Sequence, residues 1–169
     1  DQLLTSKYIY GFGERNYNFN LDIGRYTIWG NDTTYTNRDE RNGGWNLMGH
    51  QPIGLHRTKS GKYIGLLFIN ANCQDIVINT IDEKKKNSYK EININDFSHI
   101  LRHLTIGGII HYYLTLGDTA EESILGMHKI YGHPAIPPFW GLGWHQCRWG
   151  YRNTGQLKDV RQNYYKNEI

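Results

Sequence analysis

The sequence contains little cysteine, little proline and no long apolar run. Two cysteines, Cys73 and Cys147, occur in 169 residues, too few for the disulfide framework of a small secreted domain. Both lie in segments that look buried, so both are predicted to be reduced core residues. No apolar stretch approaches the roughly 18 residues that a membrane-spanning helix needs, so no membrane span is predicted.

Charge of one sign is also not concentrated anywhere. The chain has 19 Lys and Arg against 16 Asp and Glu, and no basic stripe points to a nucleic acid partner. The one charged run, residues 83–86, is predicted to be a solvated loop. Aromatic residues are abundant instead, with 13 Tyr and 5 Trp. This enrichment is typical both of a β-rich fold and of a carbohydrate site, and composition does not choose between them.

The first 117 residues read as short strands broken by turns, which favours a β-sandwich. The polar stretch 31–48 is predicted to be a loop. Residues 52–72 are predicted to form a hairpin around a turn at 59–62, and Gly107-Gly108 marks a turn between two apolar runs. The strand-like segments are residues 7–14, 24–30, 52–72, 75–81, 89–97 and 101–117.

A different pattern begins at Asp118. Thr119 is positioned to cap a helix that Gly132 ends. Its predicted inner face consists of Ile124, Leu125, Met127, His128 and Tyr131.

The clustered prolines predict an extended connection, followed by a strand over 139–147 and a second helix capped at Thr154. The predicted inner face of this helix consists of Leu157, Val160, Arg161 and Tyr164. Strand followed by helix is typical of a βα repeat. The predicted parts are therefore residues 1–117, 118–138 and 139–169.

The segment 140–151 concentrates chemically capable side chains. His145 and Cys147 would share one face of a strand, but a zinc site needs three or four ligands and a Cys–His nucleophile pair needs an orienting group. A hydrogen-bonded histidine and a packed cysteine in a buried strand are therefore favoured, with no metal or cofactor. Trp149 follows at the strand's carboxyl end, where β/α folds bind ligands. It is either a platform for a sugar ring or a plug of the core.

A second candidate site lies after the strand that ends near Trp29. Asp32 either caps its own turn or hydrogen-bonds a ligand hydroxyl. Asn31-Asp32-Thr33 is also a glycosylation sequon, and whether Asn31 is glycosylated is left open.

The segment 132–151 is similar to the domain junction of glycoside hydrolase family 31, the retaining α-glucosidases, with Trp144 as the one departure. The matching positions are Gly132, Pro134, Pro137, Pro138, Trp140, Leu142, Gly143, His145, Cys147, Arg148, Trp149, Gly150 and Tyr151. Segments 8–15, 26–32, 48–55, 66–76 and 104–122 also resemble the family, with departures at Gly30, Met48, Gln51 and His111.

The resemblance implies a mainly β fold, in which part of a mutarotase-like β-sandwich precedes the first βα unit of a (β/α)8 barrel. Asp32 would hydrogen-bond the sugar in the −1 subsite, and Trp149 would line that pocket. The two catalytic aspartates would lie beyond Ile169, so the chain would be an internal fragment that is inactive alone. The substrate would be an α-glucoside or oligosaccharide, and the location lysosomal or secreted.

Two other functions stay open at this point. One is a stand-alone carbohydrate-binding β-sandwich without hydrolytic activity. The other is a non-catalytic homologue whose sandwich only packs against partners.

Overall fold

Two antiparallel β-sheets and two α-helices form the described part of the chain. The computed structural model describes residues 1–30, 44–81 and 93–169. They fall into two compact units, Asp1–His133 and Pro134–Ile169, which are treated separately below. No helix in these ranges is long and apolar enough to cross a membrane.

The described residues of the first unit form eight strands, and their two sheets confirm the mainly β prediction. The strands are β1 (Gln2–Leu4), β2 (Tyr8–Gly11), β3 (Gly24–Ile28), β4 (Ile53–Arg57), β5 (Tyr63–Phe68), β6 (Gln74–Thr80), β7 (His99–Thr105) and β8 (Tyr112–Gly117). One sheet has the order β1-β7-β6-β3 and the other β2-β4-β5-β8. The predicted hairpin is strands β4 and β5, and Gly61 in its turn has a left-handed φ of 89°.

Two predicted features of the strand series need refinement. Gly107 and Gly108 carry the chain from one sheet to the other, because β7 pairs with β1 and β6 whereas β8 pairs with β5. The strand predicted over 89–97 is wrong in its described part, where Ile94–Asp96 forms a 3-10 turn. There the N–H of Phe97 donates to the carbonyl of Ile94 at 3.1 Å, closing a local turn.

The core follows from the period-2 alternation of the strands. Strand β5 directs Leu66 and Phe68 inward, and each such side chain contributes about 1.5–3 kcal/mol on burial. The buried His56 is hydrogen-bonded: its Nδ1 lies 3.1 Å from the carbonyl of Tyr8, and burial lowers the pKa of this histidine. The core cluster is Leu4, Ile9, Phe12, Leu21, Tyr26, Ile28, Leu66, Phe68, Ile76, Ile78 and Leu101.

Helix α1 (Ala120–Tyr131) begins and ends where the sequence predicts. The side chain of Thr119 accepts from the backbone N–H of Glu122, whose carboxylate accepts in return, and Gly132 is the C-cap. The predicted inner face is partly wrong. Met127 is buried, but Ile124, Leu125 and Tyr131 are exposed and Ser123 is buried instead.

Small residues determine which face of α1 is buried. Gly65 on β5 and Thr115 on β8 leave room for the helix to approach the outer face of the sheet closely. The hydroxyl of Thr115 donates to the carbonyl of Ser123 at 2.8 Å. The flexible side chain of Met127 also packs in this contact, whereas the other large apolar residues of α1 are exposed.

In the second unit, the strand predicted over 139–147 is wrong. Phe139–Leu142 forms a 3-10 turn, and residues 134–169, all of which are described, contain no strand. A strand is stabilised by hydrogen bonds to a neighbour, and none is available within this unit. For the same reason His145 and Cys147 are exposed rather than buried. Cys73, in the first unit, is half-buried, and both thiols are free.

Helix α2 (Thr154–Lys166) is capped one residue earlier than predicted. Asn153 is the N-cap, and its Oδ1 accepts from the backbone N–H of Gln156 at 3.1 Å. Asparagine is a stronger cap than threonine, which explains the shift.

We expect Gly65→Ala to destabilise the first unit by about 1–3 kcal/mol, because overpacking at a tight contact forces neighbours to move. A Cβ at this position would contact Oγ1 of Thr115, lie 2.9 Å from Oγ of Ser123 and lie 3.2 Å from Cε of Met127. Gly107→Ala is the control, since a Cβ there meets no atom within 4 Å. Urea unfolding of both variants is the measurement, and equal midpoints would contradict this account of helix packing.

Candidate functional site

The first candidate region is the end of strand β3, where the chain enters the predicted sugar-binding loop. Asp32 and the sequon at Asn31 lie outside the described residues. The residues that flank this segment are described: Trp29 and Gly30 precede it, and Gly44 to Asn46 follow it.

Arg15 connects these flanking residues. Its guanidinium donates to the carbonyls of Phe12 (2.9 Å), Thr27 (2.7 Å) and Gly44 (2.9 Å). It also lies 5.3 Å from the ring centroid of Tyr26. Burial lowers the pKa of Arg15 to about 10, so the side chain is still protonated at neutral pH.

Asn46 makes a second connection next to the first. It is 6% exposed, and its Oδ1 accepts from the N–H of Trp29 at 2.7 Å. Its Nδ2 donates to the carbonyls of Glu14 at 2.9 Å and Gly49 at 3.0 Å. The sequence did not reveal Arg15 or Asn46 as functional, because their partners lie up to 32 positions away and no local motif marks them.

The second candidate region surrounds Trp149. The indole is 99% exposed and stands in a turn before Gly150, whose φ is 94°. The guanidinium of the preceding Arg148 lies 4.5 Å from the ring centroid of Tyr151. With this exposure, Trp149 does not plug a core within the described residues.

Aromatic and amide groups elsewhere in the second unit form a hydrogen-bonded cluster. The indole N–H of Trp144 donates to the hydroxyl of Tyr164 at 3.2 Å, and that hydroxyl donates to Gln146 at 2.7 Å. The cluster lines a pocket of about 330 Å³ together with the predicted inner face of α2. The pocket residues are Trp144, Gln146, Tyr151, Leu157, Val160, Arg161, Tyr164 and Ile169.

In the described part of the chain, no three His, Cys, Asp or Glu side chains group as metal ligands would. Asp32 lies outside the described residues and Trp149 belongs to the second unit. The approach of these two side chains to one sugar therefore stays a prediction.

Comparison with known proteins identifies the family. The model of the glycosyl hydrolases family 31 TIM-barrel domain matches residues 134–169. Intestinal sucrase-isomaltase of Oryctolagus cuniculus is 33% identical over 159 residues, which is 93% of this chain. The chain belongs to glycoside hydrolase family 31.

Other members of family 31 align equally far along the chain. A probable alpha/beta-glucosidase of Aspergillus oryzae is 33% identical over 97% of the chain. Lysosomal alpha-glucosidase of Mus musculus is 30% identical over 95% of it. The chain spans 8% of the length of the rabbit protein, 17% of the fungal one and 15% of the mouse one.

We expect Trp149→Ala to change the free energy of unfolding by less than about 0.5 kcal/mol, since the side chain is almost fully exposed. Trp144→Ala is the matched variant. It loses the bond to Tyr164 and should cost about 0.5–1.5 kcal/mol. Denaturant unfolding, monitored by circular dichroism, measures the free energy of unfolding of both variants. A larger loss for Trp149→Ala than for Trp144→Ala would restore the core-plug interpretation.

Proposed function

We propose that the chain is an internal part of a retaining α-glucosidase that hydrolyses the O-glycosidic bonds of α-glucosides. The supporting observation is that relatives named as sucrase-isomaltase and as alpha-glucosidases align with nearly the whole chain, across both units. A carbohydrate-binding sandwich alone would not need residues 134–169, which match the barrel domain. The alignment therefore favours the hydrolase over the binding module.

The proposed architecture has three parts. Residues 1–117 form the later part of a mutarotase-like β-sandwich, which the two antiparallel sheets of the first unit support. Residues 118–138 are a helical and proline-rich connection, and residues 139–169 begin a (β/α)8 barrel.

Trp149 and Asp32 form part of the −1 sugar pocket in this proposal. The exposed indole offers a flat apolar surface to the C–H face of a pyranose. The carboxylate of Asp32 accepts a hydrogen bond from a sugar hydroxyl, a charge-assisted bond that holds the ring in one orientation. Both residues bind and orient the substrate, and neither takes part in bond cleavage.

The catalytic pair is proposed to lie beyond Ile169. A retaining mechanism needs a nucleophilic carboxylate and an acid/base carboxyl about 5 Å apart. The second unit has two acidic residues, Asp159 on helix α2 and Glu168 after it. Neither follows a barrel strand, where the chemistry of a (β/α)8 enzyme is placed.

The 169-residue chain alone is expected to have no glycosidase activity, because it would lack both the nucleophile and the proton donor. The measurement is release of the phenol from an aryl α-glucoside, against a no-protein control and against the longer protein. Turnover by a clean preparation of the chain would show that the catalytic pair has been misplaced.

In the longer protein, Asp32→Ala is expected to lower kcat/KM by about tenfold to a hundredfold, because a hydrogen bond to a charged group contributes about 1.5–3 kcal/mol. Trp149→Ala should lower kcat/KM by a similar factor. In free energy, the loss of the double variant should be smaller than the sum of the two single losses, since both side chains hold one sugar ring.

Asp96→Ala, at an exposed acidic residue of the 3-10 turn, is the control for Asp32→Ala. Melting temperatures are measured on the same samples. A lower melting temperature with unchanged kcat/KM would make Asp32 a turn cap and would reject its sugar contact.

A further inference from the structure

We propose that Arg15 and Asn46 are positioning residues that hold together the two ends of the segment 31–43. The proposal concerns the described ends, Thr27 to Gly30 and Gly44 to Asn46. Its consequence for sugar binding rests on the proposed function, in which this segment carries Asp32.

The guanidinium of Arg15 connects three backbone segments that are distant in sequence. Its acceptors include the carbonyls of Phe12, Thr27 and Gly44. The planar group presents N–H donors in a fixed fork, so satisfying all three carbonyls determines their relative positions. Arg15 therefore fixes the distance between the end of strand β3 and the start of the returning chain.

Partial burial makes the geometry of these three hydrogen bonds important. The side chain of Arg15 is half-buried and burial lowers its pKa, so leaving its charge without acceptors there would be costly. The carbonyl groups that accept from the guanidinium must therefore keep their orientation toward it. A surface arginine that reached carbonyls through solvent would not impose this geometry.

Asn46 repeats the connection with a different group. Its Oδ1 accepts from the N–H of Trp29, on the outgoing side of the segment. Its Nδ2 donates to the carbonyls of Glu14 and Gly49. The carboxylate of Glu14 accepts in turn from the N–H of Gly49 at 2.9 Å. Residues 14 and 15 are therefore a common anchor for both ends.

Holding both ends matters because fixing the two ends of any chain segment removes much of its conformational freedom. A side chain that must meet a sugar hydroxyl benefits from that restriction, since displacing a substrate-positioning group by about 1 Å can cost a hundredfold in rate. The two connections act through the backbone, and neither residue needs to touch the substrate.

The first test measures hydrogen exchange in the 169-residue chain. Arg15→Lys keeps the charge, but a single ammonium cannot reproduce the three-way fork. Amides of Trp29, Leu47 and Gly49 should exchange at least tenfold faster, while those of β6 stay protected. The control is Arg25→Lys, because Arg25 pairs with Asp75 on the exposed face of the sheet.

Asn46→Ala should give the same local loss at Trp29, whose N–H donates to the removed Oδ1. Unchanged exchange at Trp29 and Gly49 in both variants would overturn the proposal. Equal acceleration in β6 would also overturn it, because the residues would then support the whole sheet rather than the segment ends.

The second test measures kcat/KM in the longer protein. Arg15→Lys should lower it at least tenfold in the wild-type background and by less than twofold in the Asp32→Ala background, whereas Arg25→Lys changes neither. Equal losses in both backgrounds would reject the positioning role. If Asp32→Ala alone has no effect, the proposed sugar contact fails, and hydrogen exchange alone decides whether the ends are held.

Discussion

Strand β5 is the element on which the first unit depends, because it is paired along both edges and covered on both faces. It bonds to β4 on one side and to β8 on the other. Leu66 and Phe68 fill the space between the sheets, whereas Gly65 leaves the outer face open to α1. The alternation of side chains along one strand thus specifies the core and the helix site together.

The described residues on either side of the segment 31–43 depend on a different kind of interaction. Apolar packing is non-directional, and it can bring β3 near the returning chain without determining the angle at which the segment leaves. Hydrogen bonds from Arg15 and Asn46 add this direction, because each donor or acceptor has a preferred geometry. In this unit, burial of apolar side chains holds the two sheets together. The hydrogen bonds of Arg15 and Asn46 orient the chain where a ligand is proposed to bind.

The second unit illustrates how far local sequence preference reaches. Helix α2 has its own cap and satisfies its backbone hydrogen bonds internally, so residues 154–166 are helical without pairing to another backbone segment. Residues 139–147 have strand-like composition, yet they form a turn and an extended segment. The difference is physical, since a helix satisfies its hydrogen bonds internally and a strand requires another strand.

Local patterns in the sequence predicted most of the strands, the β4–β5 hairpin, the capping of α1 by Thr119 and the family junction around Trp149. Each of these features depends on residues within a few positions of one another, so the local sequence is enough to predict it. The sheet crossing at Gly107, the burial of Ser123 in place of Ile124 and the contacts of Arg15 depend on groups distant along the chain. The sequence by itself determined the helix caps, the hairpin turn and most of the strands. Only the tertiary structure decided which strands find a neighbour, which helix face is buried and which carbonyls accept from Arg15, because those contacts exist only after the sheets have packed.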